Sequence, residues 1–125
     1  MARILLAEDE EPLRALLTRA FVEDRHEVVA AADGGEALEA LTHADAEFDL
    51  LLTDIRMPVM DGIALALAAA RDHPRLTILL MTGYADQRER ASGLDALIHD
   101  VVSKPFTLAQ IKRAVADALA AKRNH

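Results

Sequence analysis

The chain has 125 residues, the size of one domain, and its 52% hydrophobic and 28% charged residues exclude a disordered tail and allow a packed core. It has no cysteine, which excludes a disulfide framework and a thiolate metal site and suits a reducing compartment. Its net charge of −7 argues against sequence-independent nucleic-acid binding, because an acidic domain repels phosphate backbones.

In chain order, residues 4–7 read as a first strand, ending on the acidic pair Glu8-Asp9. The apolar run at 1–6 is too short for a signal peptide. Glu11-Pro12 opens a helix, with proline in a first turn where its missing N–H is no loss. Leu13, Leu16, Leu17, Ala20 and Phe21 then follow the i, i+3, i+4, i+7, i+8 spacing of one buried face. A second strand at 28–30 precedes Asp33 and Glu36, which have capping-box spacing. Gly34-Gly35 lacks the spacing of a dinucleotide loop and reads as a turn. A third strand at 50–53 runs into Asp54, and Asp61-Gly62 enters a third helix. The apolar stretch of that helix, 63–70, is broken by Arg71 and is far short of the roughly 18 residues a membrane span needs. A fourth strand at 78–81 precedes Thr82. Residues 86–93 read as a fourth helix with little apolar face, since Gln87, Arg88, Glu89 and Arg90 are all polar. A fifth strand at 98–102 precedes Lys104-Pro105. Thr107 and Gln110 then cap a last helix whose expected buried face is Leu108, Ile111, Val115, Ala118 and Leu119.

Strand–helix alternation of this kind implies an α/β fold with a parallel sheet covered on both faces, and the unbroken apolar runs at 50–52 and 78–81 suit strands buried on both sides. Ligands of such folds bind beyond the C-terminal strand ends, near the switch in strand order. Glu8, Asp9, Asp54, Thr82 and Lys104 all stand at those ends. Taken singly, each has a plain reading as a turn, cap or solvated surface residue; their coincidence at one edge does not. Two carboxylates ~4 Å apart repel by some 4 kcal/mol at an effective dielectric of about 20, so a third in the same pocket calls for compensation. A hard cation such as Mg²⁺ supplies it, with Lys104 neutralising a further charge and Thr82 offering a hydrogen bond to an anionic oxygen. Asp54 is then a carboxylate nucleophile in a pocket suited to phosphoryl transfer. The five histidines, His26, His43, His73, His99 and His125, have no ligand spacing, so no transition-metal site is expected.

These residues carry a family resemblance. The segment Asp54-Ile55-Arg56-Met57-Pro58-Val59-Met60-Asp61-Gly62 resembles the phosphoacceptor segment of bacterial response-regulator receiver domains of the CheY-like type. Ala7-Glu8-Asp9-Glu10 resembles their acidic pair, Met81-Thr82-Gly83 their switch threonine, and Ser103-Lys104-Pro105-Phe106 their lysine and proline. The resemblance spans the chain. It implies a doubly wound five-stranded sheet of flavodoxin-like order 2-1-3-4-5. It also implies that a histidine kinase or histidine phosphotransfer protein phosphorylates Asp54, with Glu8, Asp9, Asp54 and the backbone carbonyl of Arg56 holding Mg²⁺ and with Thr82 and Lys104 contacting the phosphoryl oxygens. Residues 1–125 would form one stand-alone cytoplasmic receiver with no effector domain, a phosphoacceptor rather than an enzyme, and a protein contact as its output. The family's usual output face is the fourth helix, fifth strand and fifth helix.

Two departures bear on that output. The family commonly has an aromatic three residues before the lysine, where this chain has Val101; Tyr84 or local backbone movement is expected to take over part of the coupling, and Tyr84 and Arg56 flank the site. The usual small residue seven before the lysine is Leu97 here. This segment and the chain length resemble the CpdR-type receivers of alphaproteobacteria, adaptors that direct the ClpXP protease to its substrates during the cell cycle when unphosphorylated. Chemotaxis-type and phosphate-shuttle receivers are the rival outputs. From another class, a haloacid-dehalogenase-like phosphatase needs an acidic residue two positions after its nucleophile, where Arg56 stands.

Overall fold

The computed structural model describes residues 1–43, 47–83 and 89–123. Its elements are β1 (Arg3–Ala7), α1 (Glu11–Glu23), β2 (Glu27–Ala31), α2 (Gly34–Thr42), β3 (Leu50–Asp54), α3 (Gly62–Asp72), β4 (Thr77–Thr82), a 3₁₀ turn (Ser92–Leu94), β5 (Asp100–Ser103) and a C-terminal helix (Leu108–Arg123). The strands form one sheet in the order β2-β1-β3-β4-β5. Every pairing is parallel, with Leu5 opposite Leu51 and Asp54 opposite Met81.

The reason for the layered architecture lies in the central strand. All five residues of β3, Leu-Leu-Leu-Thr-Asp, are buried, and successive side chains point to opposite faces. Leu50 and Leu52 therefore join Leu17 and Phe21 of α1 and Ile111 and Val115 of the C-terminal helix in one core. Leu51 and Ile55 join Ala37 and Leu41 of α2 and Leu65 and Ala69 of α3 in the other. Helices thus cover both faces, as the alternation predicts.

The helix starts follow the capping chemistry. Asp33 caps α2 through Oδ1, which accepts from the Glu36 N–H at 2.8 Å. Asp61 caps α3 in the same way, accepting from the Ala64 N–H at 2.8 Å. Thr107 and Gln110 form a reciprocal box ahead of the C-terminal helix, at 3.1 and 2.8 Å.

Four expectations are corrected. The fifth strand begins at Asp100, not residue 98, because the Leu97 and Ile98 N–H groups both turn back to the Leu94 carbonyl. Ile98 is instead a core plug below that turn. Leu16 and Leu108 are 45% and 38% exposed, since the buried face of each helix is narrower than the apolar spacing suggested. Gly34-Gly35 is the first turn of α2, where a Cβ on Gly34 would stand 2.0 Å from the Met60 carbonyl oxygen. Of the expected helix at 86–93, residues 86–88 lie outside the described residues, 89–91 are helical and 92–94 tighten into the 3₁₀ turn. Among the described residues, no helix is long and apolar enough to cross a membrane.

Candidate functional site

The site lies at the C-terminal edge of the sheet, where β1 and β3 adjoin and the strand order reverses direction. Glu8 leaves β1 wholly buried. Its main chain is held on both sides: its N–H donates to the Ala31 carbonyl at 3.1 Å, and its carbonyl accepts from Arg14 Nη1 at 2.9 Å. Its carboxylate is also occupied, with Oε1 accepting from Lys104 Nζ at 2.9 Å and Oε2 from the Glu10 N–H at 3.1 Å. Asp9, the next residue, is exposed.

Asp54 ends β3 with only 6% of its surface exposed. Its Oδ1 accepts from the Ile55 N–H at 3.1 Å, and its Oδ2 lies 3.4 Å from Lys104 Nζ. Lys104 enters from the loop after β5 and so bridges two buried acids. Its own N–H donates to the Thr82 carbonyl at 2.7 Å, which ties that loop to the end of β4.

Burial pushes the carboxyls of Asp54 and Glu8 above the ordinary carboxylate range, ahead of the opposing pull of Lys104 and of the N–H groups of Ile55 and Glu10. For Lys104, burial works toward deprotonation. The Glu8 hydrogen bond and the charges of Asp54 and Glu8 outweigh it, and the ammonium is held above its usual range. Burial therefore sets the direction in which the two carboxyls shift, and Lys104 offsets it only in part.

Among the described residues, Glu8, Asp9 and Asp54 form a group whose carboxylate oxygens lie within 4.8 Å of one another. All the donors are hard oxygens, with no imidazole or thiolate, a set that fits a cation such as Mg²⁺ and not a softer metal. Because both Glu8 oxygens already have protein partners, Asp9 and Asp54 face the cleft as the more accessible donors.

That cleft has a volume of about 830 Å³ and is lined by Asp9, Asp54, Arg56 and Lys104, with Met57 and Phe106 on its apolar side. The structure thus brings Asp9, Asp54, Arg56 and Lys104 together, with Glu8 beneath them. Thr82 is buried at the end of β4, one residue past the register partner of Asp54; its neighbour Gly83, not Thr82 itself, lines the cleft. Val101 lies away from the cleft, half-buried in β5 opposite Leu80. Tyr84 lies outside the described residues.

Residues that the motifs did not single out also shape the site. Arg14 holds the Glu8 carbonyl, and its signal in the sequence is only its place one turn into the helix after the acidic pair. Thr53 is a buried hydroxyl beside Asp54, visible in the sequence as a polar interruption of an apolar strand. Arg90 Nη2 meets Asp61 Oδ2 at 2.8 Å, which joins the segment beyond Thr82 to the cap of α3.

A doubly wound sheet with an acid-and-lysine cleft at its switch point defines a class, and the family model agrees. The response regulator receiver domain model matches residues 4–116, and the chain belongs to that family. It is similar to the response regulator receiver protein CpdR of Brucella abortus, at 38% identity over 97% of this chain and 99% of that protein. It is also 34% identical to the transcriptional regulatory protein TcrA of Mycobacterium tuberculosis, over 87% of this chain but only 42% of the relative's length. Among solved structures, the response regulator TrrA of Thermotoga maritima, in complex with Mg²⁺-BeF, superposes with a TM-score of 0.83 at 30% identity, covering 94% of this chain and 99% of that one.

Proposed function

We propose that this protein is a phosphorylation-controlled switch: Asp54 accepts a phosphoryl group from a histidine kinase or histidine phosphotransfer protein, and the phosphorylated state changes a protein contact. One observation carries the reading. The Asp54 carboxylate stands at the end of the central strand, within reach of the Lys104 ammonium and of two further carboxylates, and faces an open cleft.

In the transfer, Asp54 Oδ2 attacks phosphorus while the bond from phosphorus to the donor's histidine nitrogen breaks, and the imidazole leaves with the electron pair. Lys104 sits where it neutralises charge that builds on the phosphoryl oxygens. Asp9, Asp54 and the Arg56 carbonyl would hold Mg²⁺, with Glu8 fixing Lys104 beside them. Mg²⁺ bound there offsets the carboxylate charge and screens the incoming phosphoryl oxygens. The structure of TrrA with Mg²⁺-BeF supports this choice of cation. Thr82, at the end of the adjoining strand, is the residue that would follow the new phosphoryl oxygens and pull on the segment beyond it. Tyr84 and Val101 would shape the response of the output face.

For the output, the near full-length similarity to CpdR favours control of regulated proteolysis. The unphosphorylated form would engage ClpX and direct ClpXP to its substrates, and phosphorylation would end that contact. The test is capture of ClpX by the wild-type chain with and without Mg²⁺ and beryllofluoride, beside Asp54→Ala. Capture by the untreated protein and by Asp54→Ala, lost when the wild type is treated, is the expected pattern. No capture by any form contradicts the adaptor output.

A further inference from the structure

The central strand carries one polar side chain that neither its packing nor the motifs explain. Thr53 is 0% exposed. By the alternation of β3 it points to the face of α2 and α3, away from the Asp54 carboxylate. An aliphatic residue would fill that position, and a buried hydroxyl is costly unless it is bonded. The Thr53 hydroxyl donates to the Asp54 carbonyl at 2.9 Å. The Met57 sulfur, 3.9 Å from the Thr53 hydroxyl oxygen, is the weaker alternative acceptor.

That carbonyl belongs to the peptide unit joining Asp54 to Ile55. On its other side it meets Gly62, where a Cβ would lie 2.1 Å from the Asp54 oxygen. The N–H of the same peptide unit is the Ile55 N–H. It donates to the Met81 carbonyl at 3.0 Å and to Asp54 Oδ1 at 3.1 Å. A peptide unit is planar, so fixing its carbonyl fixes the direction of its N–H. A chain of contacts therefore runs from the Thr53 hydroxyl through one rigid plane to the oxygen that sets the Asp54 rotamer.

We propose that Thr53 is a positioning residue for the phosphoacceptor: its hydroxyl locks the Asp54–Ile55 peptide, whose N–H holds Oδ1 and leaves Oδ2 aimed at the cleft beside Lys104. The role rests on Asp54 being the phosphoacceptor. Thr53 touches neither the incoming phosphoryl group nor the cation; it acts through the backbone. Nucleophilic attack depends steeply on alignment, and a small loss of aim slows it while leaving the fold intact.

The experiment uses two pairs of variants, each differing mainly by the hydroxyl: wild type against Thr53→Val, and Thr53→Ser against Thr53→Ala. Initial phosphorylation rates with acetyl phosphate at saturating Mg²⁺ are measured alongside melting temperature. Thr53→Val keeps the packing but leaves the buried Asp54 carbonyl without its hydroxyl donor, whereas Thr53→Ser keeps the donor and opens a small cavity, so both variants lose some stability. The proposal separates the two readouts. Thr53→Val should be phosphorylated about ten-fold more slowly than wild type. Thr53→Ser should stay close to wild type in rate despite its lost stability, and Thr53→Ala should be slow. A purely structural role predicts that rate follows stability in all three variants whether or not the hydroxyl is kept; a Thr53→Ser rate as low as that of Thr53→Val, or a Thr53→Val rate equal to wild type, overturns the proposal. If Thr53→Val does not fold, the Ser and Ala pair decides, and equal rates in that pair overturn it. Failure of the wild type itself to be labelled, or labelling of Asp54→Asn at the wild-type rate, would count against the phosphoacceptor assignment and not against Thr53.

Discussion

Asp54 and Glu8 share a buried edge with Lys104, and burial raises both carboxyls despite that lysine. Both carboxyls hold their protons more tightly in the folded chain than in the unfolded one. What they contribute to stability is therefore fully present below the ordinary values of 3.8 and 4.5 and is lost as the pH rises through their folded values. Asp54→Asn removes one of the two groups. Without Mg²⁺, urea denaturation should find this variant more stable than wild type by about 1 kcal/mol at pH 7, with the difference shrinking as the pH is lowered toward 4. A variant less stable than wild type at neutral pH would show that the carboxylate is already compensated. That Glu8, Asp9, Asp54 and Lys104 meet at one edge was legible because each stands in a short local motif, whereas Thr82 ends its strand beside the cleft without lining it. Thr53 and Arg14 were not legible as site residues: a threonine in a strand and an arginine in a helix are ordinary, and only the fold places one against the Asp54 carbonyl and the other against that of Glu8.

At the scale of elements, α3 starts where the site's loop ends, and Asp61 serves two partners. Its Oδ1 caps the helix and its Oδ2 takes Arg90. Partial burial raises its carboxyl, but the Ala64 N–H and the Arg90 guanidinium more than offset this and hold it below the usual range. Its contribution is thus present above the ordinary 3.8 and is lost as the pH falls through its folded value. Asp61→Ala should cost about 1–2 kcal/mol in thermal or urea melts, as loss of a cap does. Asp61→Asn keeps a capping oxygen and loses only a half-exposed ion pair, so it should stay within about 0.5 kcal/mol of wild type. Equal losses in the two variants would mean that the ion pair, not the cap, fixes the helix start. Strands and caps were legible because periodicity and capping chemistry are local. The start of β5 was not, because the apolar Ile98 is drawn into the core by a turn closed on Leu94, a contact that spacing cannot reveal. Gly34 misled for a similar reason: the glycine answers to Met60, far along the chain, rather than to a turn.

For the molecule as a whole, two independent cores clamp one sheet, and the site sits at the seam where the β1 and β3 loops diverge. A ligand bound at that seam stabilises the folded chain by mass action, because the three carboxylates come together only on folding. Mg²⁺ at a hundred times its dissociation constant should add about 2.7 kcal/mol to the wild type. Asp54→Asn should gain much less from the same Mg²⁺, and Ca²⁺-free calorimetric scans with and without Mg²⁺ measure the difference. An equal shift in both proteins would place the cation elsewhere.

The most direct measurement is intact-mass spectrometry after incubation with acetyl phosphate and Mg²⁺, followed by mapping of the modified residue. The account predicts one added phosphoryl group per chain, located on Asp54, absent without Mg²⁺ and absent in Asp54→Asn. A wild-type chain that stays unmodified, or a phosphoryl group found on another residue, would contradict it.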